Sequence, residues 1–311
     1  MNITRSRFLT ALAALPVVLL ASCSPPEDTT PRPDIVTTTT MVTELVRSLV
    51  GDELKVHPLM GPGVDPHLFK PGQDDIQSLQ KATVVIYSGL HLEGKMTEIF
   101  ERLQGQGRKV HALADGVDEK DIITADGQPD PHIWGDASIW LQCLNHCSKK
   151  LSEAYPDKAA SISARAAAMA LRLTEAHARL QTSANSLPKE KRVLVTSHDA
   201  FRYFGRAYGF EVIGIQGIST ASEAALADMA KIVDLVKSRG VKAVFVESSV
   251  SHATIERISK DTGAKIGGEL FSDALGEPGE MRDGGGGRKV DCGTVAGMLE
   301  TNMHTIVEAL K

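Results

Sequence analysis

Between Pro156 and Pro188 runs a stretch that local physics allows to be little other than one long helix. Its apolar positions Ile162, Ala166, Met169, Leu173, Ala176 and Leu180 recur at intervals of 4, 3, 4, 3 and 4 residues, the spacing that keeps one side of an α-helix apolar. Alanine abounds, so intrinsic propensity is high, and a proline marks each end. The spacing predicts a helix over 157–187, about 45 Å long at 1.5 Å per residue. Its alternative use is a coiled-coil seam between two copies. The run is short for that and its seam is rich in Ala, so a monomer is expected.

The sequence on either side of this rod falls into two similar halves. Ile35-Val36-Thr37-Thr38-Thr39 leads into Met41 to Val50, then Gly51, then the apolar Leu54-Lys55-Val56. Further on, Val193-Leu194-Val195-Thr196-Ser197-His198 leads into Phe201 to Tyr208, Gly209, then Val212-Ile213-Gly214-Ile215. Each half reads strand, helix closed by glycine, strand. A helix over 74–81 then feeds Val84 to Tyr87, just as one over 224–239 feeds Ala243 to Val246. These β-branched runs lack polar alternation, as strands covered on both faces of a parallel sheet do. The expected fold is α/β, with two βαβ lobes (34–156 and 188–311) built on parallel sheets and joined by the long backbone helix.

Three histidines and an aspartate stand in distinctive frames. His67 closes Gly63-Val64-Asp65-Pro66-His67, and His132 sits in Asp130-Pro131-His132-Ile133-Trp134, so the same Asp-Pro precedes both. His198 sits in Val195-Thr196-Ser197-His198-Asp199-Ala200-Phe201, and Asp273 in Leu270-Phe271-Ser272-Asp273-Ala274-Leu275-Gly276. No single helix or loop could hold the four, so they meet only if the fold gathers them. Gathered, three imidazoles and a carboxylate are a transition-metal site. In parallel α/β sheets ligands sit off the carboxyl ends of strands. His198 ends its strand, Asp273 follows Ile266 to Phe271, and His67 follows the Val56 strand, which points to the cleft between the lobes. The proline before each histidine biases Asp65 and Asp130 toward extended backbone. Glu247, ending the Ala243–Val246 strand, is either an ordinary strand-end carboxylate or a group that orients a ligand histidine through a hydrogen bond. His91 is read as a helix-start cap or a helper of the site rather than a ligand. His57, His111, His146, His177, His252 and His304 have no matching frame.

The chain opens like an exported protein. Arg5 and Arg7 precede an apolar run from Phe8 to Ala21 that is too short for a mature membrane span. Leu20-Ala21-Ser22-Cys23 resembles the bacterial lipobox, which makes 1–22 a signal peptide, Cys23 the lipidated residue and 23–33 a flexible tether. The alternative is an ordinary signal peptide that happens to contain a cysteine. A net charge of -5 and no Lys/Arg run argue against a nucleic-acid partner. Of the remaining cysteines, Cys143 and Cys147 lie four apart on a helical segment, with Cβ atoms about 5–6 Å apart, too far for a relaxed disulfide. Either could pair with Cys292. A second metal site at Cys143, His146 and Cys147 has no fourth ligand in view.

Taken together, the motifs resemble the metal-binding receptors of zinc/manganese ABC importers, the TroA-like family with a helical backbone between lobes, over essentially all of 34–311. Besides the four frames, Gly89-Leu90-His91-Leu92-Glu93-Gly94, Tyr203-Phe204-Gly205-Arg206-Ala207-Tyr208-Gly209-Phe210 and Gly214-Ile215-Gln216-Gly217-Ile218-Ser219-Thr220 carry the resemblance. It implies that His67, His132, His198 and Asp273 are the four ligands, that the stiff helix permits little hinge bending, and that the chain is no enzyme but hands metal to an ABC permease. Zn2+ is the implied cargo, with Mn2+ or Fe2+ as alternatives. Zinc-dedicated members often carry a His-rich acidic loop before the second ligand, and here 112–130 is acidic but free of histidine. Manganese-dedicated members often have a carboxylate where His198 stands. Gly135 follows Trp134 where a larger residue is common. Two other classes fit the sequence less well. A metallohydrolase needs an open metal position, which a fourth ligand at Asp273 closes, and no His-Glu-x-x-His helix is present. An adhesin has no supporting feature in the sequence.

Overall fold

The computed structural model describes residues 33–125, 127–221 and 226–311. The expected signal peptide, the lipidated Cys23 and nearly all of the tether lie outside the described residues.

Strand β1 (Ile35–Thr37) enters helix α1 (Thr40–Val50), whose first turn is capped by Thr39 accepting the Val42 N–H. Met41, Val42, Leu45, Val46 and Leu49 form its buried face, and Gly51, at φ 55°, lets the chain turn out of the helix. Strand β2 (Val56–Pro58), helix α2 (Gln73–Lys81), strand β3 (Val84–Tyr87), helix α3 (Thr97–Gly105) and strand β4 (Lys109–Ala112) follow. They complete a four-stranded parallel sheet in the order β2-β1-β3-β4. A short hairpin of β5 (Thr124–Ala125) and β6 (Gln128–Pro129) precedes helix α4 (Ala137–Ala154), capped by Asp136.

The long helix, α5 (Ala159–Asn185), begins two residues later and ends two earlier than the expected 157–187, because Pro156–Lys158 forms a tight 3₁₀ turn before it. It runs about 40 Å at 1.5 Å per residue and buries Ile162, Met169, Leu173, Ala176 and Leu180, five of the six positions of the periodic stripe. Second-lobe strands β7 (Val193–His198) and β8 (Glu211–Gln216) pair in parallel around helix α6 (Arg202–Tyr208), which Gly209 ends in the left-handed conformation. Helix α7 (Leu226–Ser238), strand β9 (Ala243–Glu247), helix α8 (Ala253–Thr262) and strand β10 (Lys265–Leu270) add a second parallel pair, with β7 lying beside β9. A hairpin of β11 (Met281–Asp283) and β12 (Lys289–Asp291) leads into helix α9 (Val295–Leu310). The second lobe thus repeats the sequence of neighbours seen in the first.

The second expected strand is displaced: the pairing partner of Ile35 is Val56, so Leu54 and Lys55 precede the strand rather than start it. Cys143, Cys147 and Cys292 are all free and buried, which rules out the Cys292 pairing. Burial pushes the Cys143 and Cys147 thiols well above their ordinary range, so both remain protonated packing groups. Gly135 has a local reason: a Cβ there would lie 3.2 Å from the Phe204 backbone nitrogen and 3.5 Å from Tyr203 Cβ, so its smallness lets α6 approach the His132 segment. No helix among the described residues is long and apolar enough to cross a membrane.

Candidate metal site

The fold brings His67, His132, His198 and Asp273 together. One ligand atom from each lies within 4.8 Å of all the others, the only such group of His, Cys, Asp and Glu among the described residues. All four are buried, His67 least so at 6% exposure against 0–1% for the rest. His198 is the last residue of β7, Asp273 lies three residues past β10, His67 lies in the loop after β2, and His132 precedes α4. Two come from each lobe: His67, His198 and Asp273 follow or end parallel strands, whereas His132 follows the antiparallel β5–β6 hairpin.

The three imidazoles present the same nitrogen. His67 Nε2 lies 3.4 Å from His132 Nε2 and 3.8 Å from Asp273 Oδ2. Asp273 Oδ1 lies 3.4 Å from His132 Nε2, and Oδ2 lies 3.2 Å from His198 Nε2. A tetrahedron with Zn–N and Zn–O arms of about 2.0–2.1 Å has edges of about 3.3–3.4 Å. Three of the separations, 3.2–3.4 Å, lie close to such an edge, the His67–Asp273 separation is longer at 3.8 Å, and the four donors together fall within 4.8 Å of one another. Neither Asp273 oxygen has a well-formed hydrogen bond among the described residues, although both are buried. Such a carboxylate is costly to bury unless a cation faces it.

The other ring nitrogens explain why Nε2 faces inward. Nδ1 of His132 lies 2.7 Å from Asp130 Oδ1, and Nδ1 of His198 lies 2.6 Å from Glu247 Oε2. Glu247 Oε1 accepts the His198 backbone N–H at 2.9 Å, so the carboxylate that lies against the ring also holds the chain. A carboxylate on Nδ1 directs Nε2 toward a metal and raises the ring's basicity. Burial is the largest influence on His132 and disfavours its charge, but Asp130 and Asp273 outweigh it and raise its pKa to about 9. His198 is likewise raised well above its usual value, Glu247 and Asp273 outweighing burial. Burial lowers His67 to about 4. For Asp273, burial opposes ionisation, yet His198 and His132 hold its carboxyl well below the usual range.

The Asp-Pro-His frames have a local logic that proline alone does not supply. In both, the aspartate accepts the backbone N–H of the histidine two residues on, at 2.8 Å for Asp65 and 2.9 Å for Asp130. Proline between them has no N–H to compete, and its fixed φ closes the turn. Tyr203 Oη accepts from the Ile123 N–H and donates to the Asp130 carbonyl, bracing that turn from α6.

His91 does not start a helix: the short helical turn begins at Gly94, and His91 is exposed in the preceding loop with φ 62°, lining the same cavity as His67 without a described bond to any of the four residues. The buried residue of that motif is Glu93. Its carboxylate accepts from Thr38 Oγ1 at 2.6 Å, the Ser88 N–H at 2.7 Å and the Gly89 N–H at 3.3 Å, stitching the ends of β1 and β3 together beneath the site. Sequence reasoning also missed Asp65 and Asp130 as hydrogen-bond partners, although an Asp two residues before a fixed position is the usual sign of such a turn.

The family sequence model described as ZnuA, zinc-uptake complex component A periplasmic, matches residues 35–309. The zinc-binding protein TroA of Treponema pallidum is 39% identical over 285 residues, which is 90% of this chain and 89% of that protein. The manganese-binding lipoprotein MntA of Bacillus subtilis is 39% identical over 284 residues, 89% of each. The solved structure of the Treponema pallidum protein superimposes with a TM-score of 0.84, covering 90% of this chain and 99% of that one. By sequence and by fold, this chain is a member of the ZnuA family of metal-binding, ABC-transporter solute-binding proteins.

Proposed function

We propose that this protein captures a divalent metal ion, zinc foremost and manganese secondarily, outside the cytoplasmic membrane and delivers it to the permease of an ABC importer. The four metal ligands are His67, His132, His198 and Asp273. The observation that carries this reading is the convergence of three imidazoles and one carboxylate, all buried, with one ligand atom of each within 4.8 Å of the others. The cargo is bound and passed on unchanged: four protein donors leave no open position for a reacting water, which sets the site apart from a catalytic one. Lobes at 34–156 and 188–311 hold it between them. The relatives named as lipoproteins support Cys23 as the lipid anchor, and mass spectrometry of the mature N-terminus tests it.

Alanine in place of any one of the four ligands is expected to weaken zinc binding at least about tenfold, since each removes a direct bond. His91→Ala and His177→Ala are expected to change it little. Calorimetry decides: near-native affinity in two of the four ligand variants would remove the assignment.

A further inference from the structure

The two Asp-Pro-His frames are built alike but tied differently. Asp130 holds the His132 backbone and ring together. Asp65 holds only the His67 backbone, and its second oxygen accepts the hydroxyl of Thr220, in the loop after β8 of the other lobe, at 2.6 Å. The remaining candidate ligands are secured by bonds that do not pass through Thr220. His198 is gripped by Glu247 within its own lobe. Trp134 Nε1 donates to the Ser272 carbonyl at 2.9 Å, fastening the frame of His132 to that of Asp273.

His67 is therefore the least secured of the four. Among the described residues no carboxylate lies against its Nδ1, and it alone of the four borders a cavity of about 280 Å³. That cavity is walled also by Leu90, Pro131, Ile218 and Ser219, the last two from the loop that carries Thr220.

Resting on the receptor reading above, we propose that metal enters and leaves past His67, and that the Thr220 hydroxyl is an interlobe latch that keeps His67 on the metal by holding Asp65. Parting the lobes at this rim breaks the Thr220–Asp65 bond. The turn that fixes His67 then loses its cross-cleft support, while the other three ligands stay in their frames. A three-coordinate ion facing the cavity is released faster. Thr220 acts through Asp65 and never touches the ion, so it is a positioning residue whose signature is kinetic.

The test uses the full chain loaded with Zn2+, with release into excess chelator followed by stopped flow and association measured separately. Thr220→Val removes the hydroxyl and keeps the shape. Loss of one partly buried hydrogen bond to a carboxylate is expected to speed release about 5–50-fold. Association should stay within about twofold, as should the thermal midpoint of the metal-free chain within about 2 °C. Thr220→Ser should restore wild-type release, and Thr220→Ala repeats the measurement should valine not fit the loop. Wild-type release rates in the Val and Ala variants, or a Ser variant as fast as Val, overturn the latch. A wild-type chain that fails to bind zinc overturns the receptor reading instead, so the two failures are told apart.

Discussion

Glu247 and Asp130 decide which face of each imidazole the cleft sees, and they decide its charge as well. With His132 raised to about 9 and His198 raised well above its usual value, both rings favour the protonated form at pH 7 in the metal-free protein. A metal binds only the neutral ring. Binding at pH 7 is therefore expected to release protons, about two at most from these rings, and apparent affinity to keep climbing above the ordinary histidine value of about 6.5. His67, held near 4, takes up a competing proton only in acid. Calorimetry in buffers of differing ionisation heat measures the proton count; pH-independent affinity between 6 and 8.5 would contradict it. Glu247→Gln should lower the count and weaken zinc binding about 10–100-fold. At this scale the sequence was informative about the histidines and Asp273, because short frames advertise them. It was nearly silent about Thr220 and Trp134. Their partners lie 155 and 138 residues away, and no local pattern records a contact made only when two lobes meet.

Among the elements, legibility followed the strength of local periodicity. The long helix was readable to within two residues at each end, since propensity, stripe and prolines all agree. Strand β2 was misplaced because it is an edge strand of only three residues that ends in Pro58, where a missing N–H is tolerated and the apolar signal is thin. Gly209 is legible as the residue that closes a helix, whereas Gly214 is legible only as part of the family pattern. The structure supplies a physical reason for Gly214 on β8: a Cβ there would fall 2.6 Å from both the backbone nitrogen and Cα of Asp199. The strand that delivers His198 turns over this bare position. Gly214→Ala is expected to lower stability by about 1–3 kcal/mol through overpacking, and to weaken zinc binding by displacing His198. Denaturant titration and calorimetry on the same variant check both, and a variant with native midpoint and native affinity would refute the account.

For the molecule as a whole, similarity does not select the metal, because the zinc-binding and manganese-binding relatives are equally identical to it. Donor chemistry supplies an expectation instead: three nitrogens and one carboxylate favour zinc, whereas manganese prefers more oxygens and a higher coordination number. The metal-free chain is expected to bind zinc at least about tenfold more tightly than manganese, and His198→Glu to narrow the gap by adding a hard oxygen. Manganese displacing stoichiometric zinc at equal concentration would reverse this ordering. The long helix has a consequence of another kind. Ile162, Met169, Leu173 and Leu180 belong to one apolar cluster that reaches from Ile35, Leu45 and Trp140 in the first lobe to Phe245, Leu270 and Met303 in the second, beside a smaller cluster within each lobe. Lobes joined through such a shared cluster are expected to melt together. Heating should give one calorimetric transition, with van't Hoff and calorimetric enthalpies in agreement, and metal should move that single transition upward without splitting it. Either half expressed alone would present the face of a missing neighbour to water, so neither is expected to fold stably by itself.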